Sequence, residues 1–463
     1  MRQFFARLAA VALVLGTLAS CGGDGPDFTW LRAMHVVTDA PTLRVSAEQY
    51  VFRRQMAFGA STDEGGESLI SQSQPARLTL EYFARPNNVI SGPLLTTDVP
   101  VQKNSTTTVV YTGTFDAIET VVVVSPRRSR PINTLYFQFV HAALDQGPLD
   151  VYVTDPDTPL SSTAPFASLQ PGAHSDSLDV PFGLRRIRLT VAGTLDVLMD
   201  SGEVNFPEQT ASTGTGLEWL FAVAPSVVPG PSPLYVVGSA GRISTTFFDA
   251  GTPATLRAIH GIRGTGPVDV AALTEPPATL INGLAFRERS PLVAAESGTY
   301  EIEFRPAGQV EPAIATLGLT TVAPAEFLAV LLEAGGTAVV IAGDTFARSV
   351  ASEARIRFAQ LAPNAFVSVY LTKSADEARA PINRLLVEQP VGAVSAHLSI
   401  PVENYFLTVT RREGTTTPTG VEEVVYGPVP FDLSGGDVYT IAVFAPDVDG
   451  DPEVIEIFDD LLP

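Results

Sequence analysis

Apolar and polar positions alternate with period two along most of the chain. Leu149-Asp150-Val151-Tyr152-Val153, Leu184 to Val191, Gly298-Thr299-Tyr300-Glu301-Ile302-Glu303-Phe304 and Asn404-Tyr405-Phe406-Leu407-Thr408-Val409 each place apolar residues on one face. Period two is the signature of half-buried strands, and no long stretch shows the 3.6-residue period of an amphipathic helix. Proline and glycine, 37 of each, punctuate the chain at strand-length intervals. The pattern predicts an all-β protein of short antiparallel strands.

The strands recur in a fixed order. Leu31-Arg32-Ala33-Met34-His35 returns as Phe137-Gln138-Phe139-Val140-His141, Leu256-Arg257-Ala258-Ile259-His260 and Ile356-Arg357-Phe358-Ala359-Gln360. A turn and a second strand follow each copy: Asp39-Ala40-Pro41 before Leu43, Gly147-Pro148 before Leu149, Gly266-Pro267 before Val268, and Pro363-Asn364 before Val367. Copies about 100 to 120 residues apart are domain-sized, which excludes a solenoid of short repeats. The expected organisation is four β-sandwich repeats at 30–131, 132–252, 253–352 and 353–463. They follow a leader over 1–20 and a flexible tether over 21–29.

The leader rests on its own pattern. Arg2 and Arg7 precede an apolar run from Leu8 to Leu18, too short for the roughly 20 residues a spanning helix requires. Leu18-Ala19-Ser20-Cys21 then presents the chain's one cysteine behind small residues. This resembles the lipobox of bacterial lipoproteins, which implies acylation of Cys21 and a lipid-anchored envelope protein. Gly22, with no aspartate in its place, resembles an outer-membrane destination.

Composition narrows the function classes. A single cysteine excludes internal disulfides and thiolate metal clusters. The formal charge of -21 disfavours nucleic-acid binding, and Lys103 and Lys373 are the two lysines. Signatures of catalysis are missing: Gly238-Ser239-Ala240-Gly241 lacks the spacing of a nucleophile elbow, and Gly214-Thr215-Gly216 runs into Trp219 where a dinucleotide loop needs glycine. No enzyme activity and no cofactor are expected.

The unit of a strand ending in histidine, a proline-containing turn, a strand such as Leu149 to Val153 and a later Gly298-Thr299-Tyr300 type strand resembles the domain-of-unknown-function family 4397. The resemblance implies immunoglobulin-like sandwiches of bacterial secreted and surface proteins, and it brings no activity. The third unit is nearest. The first carries Arg44 where the second and third have Asp150 and Asp269, and the fourth carries Gln360 and Ser368.

Two residue sets invite metal chemistry. His35, His141 and His260 occupy one repeat position, but they belong to separate units, so a hydrogen-bonding role at a strand end is the expectation; Gln360 can substitute for that and is a poor zinc ligand. Asp447, Asp449, Asp451 and Glu453 alternate around Gly450 as oxygen donors of a calcium loop do, without the spacing of an EF-hand. The chain is therefore read as a lipid-anchored, non-enzymatic structural or ligand-binding protein. It would meet a protein or glycan through loops such as Ser61 to Pro75, Phe206 to Gly216 and Pro225 to Pro233. The alternatives are a calcium-dependent surface adhesin and an envelope hydrolase, with a site near His174 or His397 in one altered repeat.

Overall fold

The computed structural model describes residues 29–47, 50–62, 68–69, 75–84, 89–126, 131–208, 217–241, 243–333, 337–344, 348–377, 379–414, 416–446 and 453–459. Cys21, the leader, most of the tether, Asp447, Asp449 and Asp451 lie outside them. The described chain is nearly all β and contains no α-helix, in eight sheets that form four tandem sandwiches.

The first sandwich sets the pattern. Its strands are β1 (Thr29–His35), β2 (Leu43–Ala47), β3 (Tyr50–Met56), β4 (Ser68–Leu69), β5 (Ala76–Ala84), β6 (Val89–Val99), β7 (Ser105–Thr114) and β8 (Ala117–Pro126). One sheet runs β4-β1-β7-β8 and the other β3-β2-β5-β6. β1 pairs in parallel with β7, Trp30 opposite Thr106 through His35 opposite Tyr111, while the other pairings are antiparallel. This order repeats three times, with first strands Leu135–His141, Ala254–His260 and Glu353–Gln360, each parallel to its seventh strand. The second sandwich adds a ninth strand, Ile243–Phe247, at one edge.

Each sandwich closes on its own core. Leu31, Ala33, Leu43, Val45, Leu78, Val109 and Tyr111 fill the first, and an aromatic group of Phe137, Phe139, Phe206, Trp219 and Phe221 fills the second. The turn after each first strand has a local cause. Gly266 (φ 77°) and Asn364 (φ 56°) take left-handed backbone that few other residues tolerate, and asparagine serves where the fourth turn is one residue shorter.

Both faces of the first strands are buried, which half-buried alternation does not provide. Leu31 and Ala33 point into their own core, whereas Met34 and Val36 join Val110, Val121 and Val123 against Val140, Ala142, Leu220, Ala222, Tyr235 and Val237 of the second sandwich. Ile259, Leu328, Val330 and Leu332 likewise pack on Ala359, Leu361, Ala442 and Phe444 between the third and fourth. The sandwiches thus stand in two pairs, each joined through the sheets that hold the parallel strands. Strands buried on both faces read as near-continuous apolar runs.

Candidate functional site

The repeated histidines act as staples of the turn. Nε2–H of His35 donates to the Pro41 carbonyl (3.0 Å) and Nδ1 accepts from the Val37 amide (3.2 Å). His260 makes the same pair with Gly266 and Ile262 (2.9 and 3.3 Å), and His141 reaches Gly147 (3.0 Å). Gln360 reproduces both bonds, its amide nitrogen donating to Ala365 (3.0 Å) and its oxygen accepting from the Ala362 amide (3.3 Å). Burial depresses the basicity of all three histidines, and His35, fully enclosed and also facing Arg348, is lowered to about 3. They work as neutral hydrogen-bonding groups in separate sandwiches.

The aspartate position has a parallel role. Asp150 accepts from Ser168 and the Gly193 amide, and Asp269 from the amides of Gly283 and Gly308, so each ties the third strand of its sandwich to the turn between the fifth and sixth strands. Arg44 pairs instead with Glu81 (3.0 Å), and Ser368 accepts from the Glu388 amide (3.0 Å).

A cleft of about 900 Å³ lies where the four sandwiches meet, with walls drawn from every one of them. Phe58 stands on the loop after β3, fixed by the Gly59 amide donating to the His35 carbonyl (2.9 Å) and the His35 amide donating to Ala60 (3.0 Å). Phe83 comes from β5, and Val227 and Val228 from the proline-rich connection of the second sandwich. Val322 to Ala325 precede the seventh strand of the third, and Glu353 and Arg355 open the first strand of the fourth.

Arg348, on the segment between the third and fourth sandwiches, crosses to the first. Its guanidinium donates to the carbonyls of Thr38 and Ala40 and lies over Phe58, 4.3 Å from the ring centre. The Ala351 amide donates to the Asp39 carbonyl (2.8 Å) beside it. Burial and the nearby Arg355 lower Arg348 to about 10. These contacts latch one sandwich pair onto the other.

The model of a family described as Domain of unknown function (DUF4397) matches residues 29–152 and 254–370, more than half of the chain. The chain belongs to DUF4397. No curated protein matches it. Among solved structures it is similar to the Bacillus anthracis TIE protein (8% identity, 87% of this chain and 66% of that one, TM-score 0.16). A second likeness is to the product complex of the multi-modular glycogen-degrading pneumococcal virulence factor SpuA (8%, 62% and 37%, TM-score 0.15). Superposition this loose bears on nothing further.

Of the positions singled out in the sequence, the Pro225 to Pro233 loop of the DUF4397 chain lines the cleft through Val227 and Val228, and His35 stands behind it, meeting Phe58 edge-on with ring centres 5.7 Å apart. His141, His260 and Gln360 hold their own turns, and His174 and His397 are not among the lining residues. Glu453 is bonded by Arg411 (2.6 Å). Among the described residues no group of three or more His, Cys, Asp or Glu is placed to hold a metal ion.

Arg32, Gln138, Arg257 and Arg357 share one repeat position, one residue outward from the core face, and all are buried between paired sandwiches. Glu326 sits between two of them, 3.2 Å from Arg257 and 3.6 Å from Arg357 across the boundary between the third and fourth sandwiches. In the other pair Ser125 donates to Gln138 (2.9 Å), whose amide donates to the Ser175 carbonyl. Arginine stands at this position in three of the four copies, the signal the sequence carried for it.

Proposed function

We propose that this protein is a non-enzymatic binding scaffold of the cell envelope, anchored by lipid at Cys21. Its sandwich pairs present the central cleft as the binding site. The observation that carries this reading is the convergence of residues from all four sandwiches on one partly apolar cavity, latched by Arg348. Its size falls within the range of about 300 to 1,000 Å³ typical of small-molecule sites. The lipobox-like Leu18-Ala19-Ser20-Cys21 supports the anchor.

The lone natural cysteine makes a direct test available. With Cys21 acylated, Ala57→Cys places a thiol on the exposed rim of the cleft, and Val421→Cys places one on the fourth sandwich, at a residue 82% exposed. Maleimide labelling is compared in intact cells and in purified, washed protein. Protection of the Ala57→Cys thiol alone, in cells alone, is the expected result. Equal labelling of both thiols in cells overturns the reading.

A further inference from the structure

The cleft carries more positive charge than its own carboxylate can neutralise, in a chain whose net charge is -21. Among the described residues Glu353 is the one acidic residue on its walls. That carboxylate already accepts from Ser399 (2.7 Å) and stands 3.5 Å from the Arg355 guanidinium. Arg348 spends its hydrogen bonds on the neutral carbonyls of Thr38 and Ala40, while the carboxylates of Asp39 and Glu353 act on it through space. Nε of Arg355 is buried and has no hydrogen-bond partner. A buried guanidinium N–H without an acceptor loses its hydration without compensation, and the part of the Arg355 side chain that stays exposed, 25% of it, is what an anion in the cleft can meet.

Apart from Thr42, Gln55 and Ser399, the remaining walls are apolar. Phe58, Phe83, Phe248, Val228 and Pro324 offer rings and aliphatic groups to whatever sits below the arginines. Guanidinium groups beside apolar side chains match a ligand that carries both an anionic and an apolar part. We propose that the cleft binds a small amphipathic anion, with a carboxylate or phosphate head on Arg355 and Arg348 and an apolar chain along Phe83, Phe248 and Val228.

This assignment rests on the reading of the cleft as the binding site, and it separates from that reading in the laboratory. The full mature chain carrying Cys21→Ser, free of detergent, is titrated with anilinonaphthalene sulfonate, itself an aromatic body with an anionic group. Laurate, dodecyl phosphate and dodecanol then compete, three probes with one chain length and different heads. Both anions are expected to displace the dye more tightly than dodecanol, by roughly tenfold to a hundredfold, the range of a charge-assisted hydrogen-bond pair. The better of the two anions assigns the head as carboxylate or phosphate.

That comparison uses the unsubstituted cleft, so it holds even if a variant folds poorly. Arg355→Gln, checked for an unchanged thermal transition, is expected to erase the preference for the anions while dodecanol competes as before. Dodecanol competing as well as laurate and dodecyl phosphate overturns the proposal, as does an Arg355→Gln protein that keeps the preference. If none of the three probes displaces the dye while the Ala57→Cys thiol remains protected in cells, the ligand class is wrong and the cleft reading stands.

Discussion

Glu326→Ala tests whether the paired sandwiches depend on their buried charges. The Glu326 side chain is 6% exposed, Arg257 4% and Arg357 0%, so all three groups have left water. A unit charge pair about 4 Å apart is worth about 4 kcal/mol at an effective dielectric constant near 20. Removing the carboxylate deletes two such attractions and leaves two buried guanidinium groups facing each other. Breaking a buried pair by taking one partner costs about 3–5 kcal/mol, and that is the expected loss for the third and fourth sandwiches.

The assay exploits where the tryptophans lie. Trp30 and Trp219, the two in the chain, belong to the first and second sandwiches, so tryptophan emission reports that pair and far-ultraviolet circular dichroism reports both. With a urea dependence of about 3 kcal/mol per molar, the dichroism midpoint of the 3–4 pair moves down by more than about 1 M while the emission midpoint stays in place. A shift under about 0.3 M, or the same shift by both probes, refutes the account. Replacing all three charges by Met, Leu and Met is expected to restore stability, because well-packed apolar side chains substitute for a buried ion cluster at little or no net cost.

Three further outcomes follow from the described geometry. His35 titrates near 3 when folded and near 6.5 when unfolded, so stability is full above about pH 6.5 and falls by about 1.4 kcal/mol per pH unit below it. His35→Gln, the residue the fourth sandwich uses, removes that slope, and denaturant melts from pH 7 to pH 5 compare the two by about 2 kcal/mol. At Gly261 an added Cβ would run into Leu361 Cδ2 and meet the Leu331 carbonyl at 2.7 Å, so Gly261→Ala is expected to lose about 1–3 kcal/mol in a thermal melt. Cys21→Ser is expected to move the protein from the membrane to the soluble fraction on cell fractionation, since two or three acyl chains at about 0.8 kcal/mol per methylene hold firmly.

The strands and their four-fold recurrence were legible because the repeated unit carries its own turn chemistry, as at Gly266-Pro267 and Pro363-Asn364. The staple function of His35, His141 and His260 was legible for a related reason. A bond from residue i to the turn five or six residues on is local, and Gln360 marks the position as one that asks for a donor and an acceptor. The cleft was not legible. Its walls come from residues as distant as Pro41 and Ser399, and no periodicity along the chain encodes which outer faces will meet. Nor was the parallel pairing of β1 with β7, which joins segments 76 residues apart.

The smallest self-sufficient unit is expected to be a pair of sandwiches rather than one. In the first sandwich the face holding Met34, Val36, Val110, Val121 and Val123 is as apolar as a core, and among the described residues the second sandwich covers most of it, with Phe58 at its margin. A face of that kind left in water favours association over a stable monomer. The family match has the same phase. Each matched stretch starts at the first strand of a leading sandwich and runs into the second strand of the trailing one, Tyr152 in one pair and Tyr370 in the other. The matched stretches therefore recur with the period of the sandwich pairs. A fragment of residues 29–252 is expected to elute as a monomer with a cooperative melt, whereas residues 29–131 alone self-associate and bind hydrophobic dyes. Light scattering that finds the single sandwich monomeric, with a transition as sharp as the pair's, would show that the shared face contributes nothing and that the domains are independent beads.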